Sequence, residues 1–436
     1  MNFENTLAFA QSMDLEDPLS HLRNEFLFPK QNSVPFIYMC GNSLGLQPKN
    51  ARKALEMQLD NWENLGVEGW FEGETPWMYY HKVIKKRMAP IVGALISEVC
   101  PMNTLTVNLH LLLVSFYKPD VKRFKILMEA GAFPSDQYAI ESQIRFHGLN
   151  PEECIIEVAP RPGEYTLRTQ DIVQTIEDNK EQLALVLFGG INYFTGQFFD
   201  MAAITTAGQK AGAIVGFDLA HAAGNVPLEL HDWNVDFACW CSYKYQNGGP
   251  GGISGIFVHE RHFEDDKLNR FAGWWGYQES ERFKMEKGFV AEAGADGWQV
   301  SCAQVMPLAL YNAALELFEV AGYMNPIRAK SITLTSYLFY IINEINTNLG
   351  EKYLTIITPE DSAKRGAQVS IIAEKNAKLI FDSLVEGSVL GDWREPNVIR
   401  LSPVPLYNSF QDVYHTGQLL LEILKTTSTQ KAINND

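Results

Sequence analysis

The stretch AIVGFDLAHAAGNVPLELHDWNVDFACWCSYKYQNGGPGGISGIFV, residues 213–258, contains three short apolar runs: AIVGFD (213–218), VDFACWC (235–241) and SGIFV (254–258). Each is continuous rather than alternating with polar residues, the pattern of a strand covered on both faces. The same texture extends upstream through ALVLF (184–188), CIIEVA (154–159) and FKILME (124–129). Between them lie segments expected as helices, near 103–117, 133–146, 169–179 and 201–211. Strands alternating with helices predict an α/β fold, a mostly parallel sheet with helices on both faces. After Pro307 the pattern changes to helical periodicity over 308–346, then a strand QVSIIA (368–373), a helix, a strand VIRL (398–401) and a last helix near 409–425. The expected organisation is an N-terminal segment over 1–60 packing with the small domain, a large domain over 61–305, and a smaller α+β C-terminal domain over 306–436. Its tail TTSTQKAINND (426–436) is expected to fray.

Composition narrows the function classes. Lys and Arg total 36 against 52 Asp and Glu, a net charge of −16 that repels phosphate backbones, and no basic patch is segregated along the chain; no nucleic-acid partner is expected. The most apolar segment, LTVNLHLLLVSFY (105–117), is too short to span a bilayer and is interrupted by Asn108 and His110, so no membrane partner is expected either. The opening residues do not read as a secretory signal, which makes the cytoplasm the expected location. Six cysteines without a CxxC or Cys/His cluster fit neither a disulfide framework nor a zinc site and read as free thiols.

In open α/β sheets ligands bind beyond the carboxyl ends of the strands, so the residues that follow each run matter most. One run ends in Asp218 with His221 three residues on, and another leads into Tyr243 and Lys244. A helix opens with MNTLT (102–106), and FKILME is followed by Phe133, Pro134, Ser135 and Asp136. An amine, a separate carboxylate and an anion-binding helix start are the minimum set for pyridoxal 5'-phosphate. The amine forms the Schiff base, the carboxylate keeps the pyridine nitrogen protonated, and helix N–H groups hold the phosphate. Glycines 248, 249, 251 and 252 would let backbone come close to that site. Each element has a plainer reading: a solvated strand end for Lys244, a helix cap for Asp218, a core histidine for His221, packing for Trp274 and a surface ion pair for Arg400. It is the set that points to the cofactor.

Eight segments carry a more specific signal: MCGNSLGLQP (39–48), MNTLTVNLHLLL (102–113), EAGAFPSDQYAIESQ (129–143), YFTGQFFD (193–200), residues 215–257, GWWG (273–276), RFKM (282–285) and IRLSPVPLYNSFQDVY (399–414). In order, and over nearly the whole chain, they resemble the kynureninases, pyridoxal-phosphate enzymes of the aspartate aminotransferase-like fold. The resemblance implies hydrolytic Cβ–Cγ cleavage of L-kynurenine to anthranilate and L-alanine in tryptophan catabolism, with weaker action on 3-hydroxykynurenine. It implies that Lys244 is the Schiff-base lysine, Asp218 the partner of the pyridine nitrogen and Phe133 the stacked ring. Leu105, Thr106 and Tyr243 match phosphate contacts, and Pro134, Ser135, Asp136 and His221 match further cofactor contacts. Lys244 and Tyr243 match the proton shuttles. Arg400 matches the clamp for the substrate α-carboxylate, a task suited to its bidentate fork. Trp274 and Cys302 match residues contributed by a second subunit, which implies a homodimer with shared sites.

Three positions depart from relatives such as the animal enzymes: Gly189 replaces a serine near the cofactor, and Cys302 an asparagine and Trp70 a histidine at the substrate pocket. All three bear on binding and none on the lysine. The rival readings are another enzyme of this fold, a desulfurase or an aminotransferase, and a non-catalytic protein that binds pyridoxal phosphate. A desulfurase would need a reactive cysteine on a mobile loop, and none is identifiable; Arg400 and Tyr243 argue against the non-catalytic reading.

Overall fold

The computed structural model describes residues 2–433. Seven strands form the large sheet: β1 (Val99–Pro101), β2 (Lys125–Glu129), β3 (Ile155–Val158), β4 (Leu183–Gly189), β5 (Ile214–Asp218), β6 (Phe237–Cys241) and β7 (Ser254–Val258). Their spatial order is β1-β7-β6-β5-β4-β2-β3. Only β7 runs against its neighbours, antiparallel to both β6 and β1. The mostly parallel sheet is therefore as expected. β1 was not anticipated: it has only three residues and ends in a proline, too little for a periodicity to register.

The unbroken apolar runs are explained by burial on both sides. Leu127, Val186, Phe188, Ala238 and Trp240 face one core, while Ile126, Met128, Leu185, Leu187, Phe237 and Cys239 face the other. Each large aliphatic side chain so buried contributes roughly 1.5–3 kcal/mol, and a one-residue slip would exchange every pair of faces at once. Helices Leu105–Phe116 and Pro134–Phe146 close the second core, and helices Tyr80–Val92, Thr169–Asp178 and Met201–Lys210 close the first.

The C-terminal part is built on an antiparallel sheet of β8 (Leu354–Ile356), β9 (Val369–Ala373), β10 (Asp392–Arg394) and β11 (Val398–Leu401), in the order β8-β9-β11-β10. The helical stretch expected over 308–346 is two helices, Val305–Val320 and Met324–Leu349, bent by 79°. The chain turns at Gly322 and Tyr323, both at positive φ, and the Tyr323 amide donates back to the Phe318 carbonyl, a helix-ending pattern. Val305–Val320 buries Leu308, Leu315 and Phe318 in the large-sheet core rather than opening the small domain. The N-terminal segment is also divided: Ala10 and Met39 join the small core, while Leu22, Phe26 and Leu46 join the large one. The last helix, Phe410–Ile433, includes most of the tail expected to fray, and residues 434–436 lie outside the described residues. No single helix among the described residues is long and apolar enough to cross a membrane, and all six cysteines are free thiols.

Candidate active site

A cleft of about 540 Å³ opens where β2, β4, β5 and β6 end. The strands deliver its residues by ending where they do: Glu129, Gly189 and Asp218 are the last residues of β2, β4 and β5, and Tyr243 and Lys244 follow β6 after Ser242. Leu105 and Thr106 enter from the first turn of helix Leu105–Phe116, and Phe133, Ser135 and Asp136 from the start of Pro134–Phe146. Leu105, Thr106, Phe133, Ser135, Asp136, Asp218, His221, Tyr243 and Lys244, nine of the twelve residues expected to contact the cofactor, are thus gathered around one space. Pro134 opens its helix without lining the cleft.

The glycines after the lysine act differently from expectation. A side chain at Gly248 would collide with Ser242, so that glycine lets the loop fold back on the end of β6, and none of the four lines the cleft. The close approach is made instead at Gly45 of the 39–48 segment. Its amide donates to the Tyr243 carbonyl at 2.8 Å, and a Cβ there would strike the Lys244 carbonyl. The lysine loop is thus held in shape by the N-terminal segment.

Lys244 Nζ lies 2.9 Å from His221 Nε2 and 5.8 Å from the centre of the Phe133 ring. Burial, followed by the charges of Lys244, Arg400 and Arg394, holds the His221 pKa well below the usual histidine range. The ring is therefore neutral, and an Nε2 that accepts from the amine leaves the proton on Nδ1, which is buried without a protein partner. Asp136 and Asp218 are neighbouring buried carboxyls. Burial raises both; Asp136 is raised further by the Asp218 charge, whereas the Ala220 amide at 2.7 Å and Lys244 act to lower Asp218. Asp136 therefore keeps the proton and Asp218 is the anion of the pair. Burial also raises the Tyr243 phenol, so it remains a donor across the physiological range.

Three residues escaped sequence reasoning. Glu129 is buried, accepts from Asn192 Nδ2 at 3.1 Å, and is pushed up to about 7, chiefly by burial. A Cβ at Gly189 would sit 2.9 Å from Glu129 Oε1, so the carboxyl of Glu129 is the polar group at this point of the wall. Its signal was present, an acid ending a buried strand, but it was read as part of the strand. Tyr193 lines the cleft and meets Phe133 edge-on at 5.3 Å. Asp392 binds Arg400, and no local pattern marks it.

Arg400 is fully buried in β11, next to the cleft rather than lining it. Its Nη1 donates to the Tyr193 carbonyl at 2.5 Å and its Nη2 to Asp392 at 2.6 Å. Trp70, Trp274 and Cys302 do not line the Lys244 cleft of their own chain. Trp70 packs at 5.5 Å on Trp275, which meets Trp274 at 5.9 Å, and Gly273 presses against Val300, two residues before Cys302. The three stand on one ledge, where Trp274 and Cys302 are exposed.

Comparison with known proteins places this arrangement in a family. Residues 327–420 match the model of the kynureninase C-terminal domain, and residues 151–368 that of the class-V aminotransferases. Among solved structures, the apo cysteine desulfurase of Thermococcus onnurineus NA1 superposes with a TM-score of 0.73 at 16% identity, covering 90% of this chain and 95% of that one. The cystine C-S lyase C-DES, in complex with cysteine persulfide, gives 0.74 at 16% identity, covering 88% and 97%. Likeness at that identity concerns the fold alone. The kynureninase of Flavobacterium johnsoniae is 53% identical over 420 residues, 96% of this chain and 98% of its own. That of Nematostella vectensis is 48% identical over 437 residues, 96% and 94%. Identity near one half over more than nine-tenths of the chain makes this chain a member of the kynureninase family.

Proposed function

We propose that this protein is a pyridoxal-phosphate-dependent hydrolase that cleaves the Cβ–Cγ bond of L-kynurenine, yielding anthranilate and L-alanine in tryptophan catabolism. The observation that carries the reading is identity near 50% to kynureninases over almost the full chain, in a protein whose cleft fits the cofactor. The fit rests on groups that lack protein partners. Thr104 puts no side-chain cap on helix Leu105–Phe116, and Asp136 Oδ1 and His221 Nδ1 are buried unpaired. Desulfurases share the fold at about 15% identity and are not favoured.

When bound, pyridoxal phosphate supplies an electron sink for charge developing on the substrate. The chain's residues hold it and move protons around it. Helix amides at Leu105 and Thr106, with the Thr106 and Ser135 hydroxyls 2.8 Å apart, hold the phosphate, joined by Tyr243. Phe133 would stack against the cofactor ring, and Asp218, the anion of its pair, would hold a proton at the pyridine nitrogen. Lys244 provides the amine that attaches the cofactor and later takes and returns the substrate Cα proton. Tyr243, protonated at rest, is the second proton carrier. Arg400 binds the α-carboxylate.

The working form is proposed to be a cytoplasmic homodimer. The support is the ledge of Trp70, Trp274 and Cys302, which does not line its own cleft and carries exposed Phe71, Phe271 and Phe283 nearby, an apolar surface of the kind that subunits cover. Mixing Trp274→Ala chains with Lys244→Ala chains is then expected to recover activity, since the hybrid has one site with both residues intact. Verified hybrids that stay inactive would rule out shared sites.

Fluorescence of released anthranilate tests the reaction. Turnover of L-kynurenine is expected, and a purified protein that binds the cofactor yet turns over neither substrate would instead be a binding protein. The same assay addresses preference. Trp70 and Cys302 exchange two groups able to hydrogen-bond a ring hydroxyl for an indole and a weak thiol. L-kynurenine should therefore be preferred over 3-hydroxykynurenine in kcat/KM by about 10–200-fold. The double variant Trp70→His, Cys302→Asn should narrow that ratio, and a wild type favouring the hydroxylated substrate would refute the assignment.

A further inference from the structure

We propose that Asp392 is a positioning residue for the substrate carboxylate: it aims Arg400 and ties it to the N-terminal segment that shapes the lysine loop. The inference rests on the reading of Arg400 as the carboxylate clamp. Asp392 in β10 stands directly opposite Arg400 in β11. Its Oδ2 accepts from Arg400 Nη2 at 2.6 Å and from the Ser43 hydroxyl, and its Oδ1 accepts from Arg394 Nη1 at 2.8 Å. One carboxylate thus engages three donors on three parts of the chain.

Two consequences follow from the geometry. With Nη2 held by Asp392 and Nη1 by the Tyr193 carbonyl, the guanidinium plane is fixed and Nε is left buried without a partner, a donor reserved for an incoming acceptor. Tyr193 also touches the Phe133 ring, so the fixed plane is referenced to the cleft wall. Second, two guanidinium groups share one carboxylate, leaving one surplus positive charge around a fully buried Arg400. A buried cation with half a counter-ion is incompletely compensated, and a single negative charge from the ligand completes the balance. The other end of the tie is Ser43, two residues from Gly45, whose amide holds the Tyr243 carbonyl. Carboxylate clamp and proton carriers are therefore connected through Asp392 by a short path, and small misplacements of a bound substrate are costly to rate.

The test uses the cofactor-loaded protein. Asp392→Ala is expected to lower kcat/KM for L-kynurenine at least tenfold, and added formate, which can occupy the vacated carboxylate position, to restore it at least threefold. The inhibition constant of the decarboxylated substrate analogue should stay within twofold of wild type, because that ligand does not engage Arg400. Asp392→Asn keeps the shape without the charge and should show the same loss with no response to formate. A merely structural Asp392 would instead weaken substrate and analogue alike and give no formate rescue, which would overturn the proposal. Arg400→Gln separates the two readings. If it impairs L-kynurenine while both Asp392 variants match wild type, the positioning role is wrong and the clamp stands. If Arg400→Gln itself is silent, the clamp is wrong and the positioning role falls with it.

Discussion

Replacing Lys244 with alanine is expected to abolish nearly all turnover while leaving the fold intact. The side chain is half-buried in the cleft, its one hydrogen-bond contact is with His221 and its ring contact is with Phe133, so its removal takes little from either core. A well-placed proton carrier is worth about 10²–10⁴-fold in rate, and Lys244 is also the point of cofactor attachment, so a loss at the upper end of that range is expected. The thermal midpoint should remain close to wild type, and single-turnover anthranilate release should fall with the steady-state rate. Borohydride treatment of the wild type should fix the cofactor to Lys244, as read by peptide mapping. A label on any other lysine would defeat the assignment of the whole cleft.

Asp218→Asn is the second large effect. Asp218 ends β5, is nearly fully buried, and receives the Ala220 amide at 2.7 Å, so its carboxylate is aimed rather than free. Asparagine keeps that shape but cannot carry the negative charge that holds a proton at the pyridine nitrogen. Removing one preorganised charge partner in a dry site costs on the order of 10²–10³-fold in kcat, and weaker cofactor retention should accompany it because a charge-assisted bond becomes a neutral one. Asp136 should compensate only in part: losing the Asp218 charge makes its proton easier to release, but burial, the largest cause of its raised pKa, remains. A variant that keeps wild-type kcat at saturating cofactor would show that the ring nitrogen has another partner.

The principal strands and most of the residues that line the cleft were legible because their signals are local. A strand buried on both faces must be continuously apolar, and β4, β5, β6 and β7 were found by that property within a residue or two. Ligands collect at the carboxyl ends of such strands, so Asp218, Tyr243 and Lys244 could be singled out without knowing which strands are neighbours. Glu129 occupies the same kind of position and was passed over, since an acid ending a strand has no signature until its burial and its Asn192 partner are seen.

What the tertiary structure decided is everything that depends on distant segments meeting. Asp392 and Arg400 become partners only when β10 pairs with β11 in one register, and Tyr193 reaches Arg400 across 207 residues of chain. The large core claims helix Val305–Val320, whose composition suits either domain, because apolar burial is non-directional and the helix goes where an uncovered sheet face remains. Trp70 and Trp274 share a ledge, although 204 residues separate them, because Trp275 packs between their loops. Periodicity and strand-end chemistry are set by neighbours a few residues away and can be read along the chain. Side-chain pairing and core membership are set by which surfaces exclude water together, and that is settled only when the chain has folded.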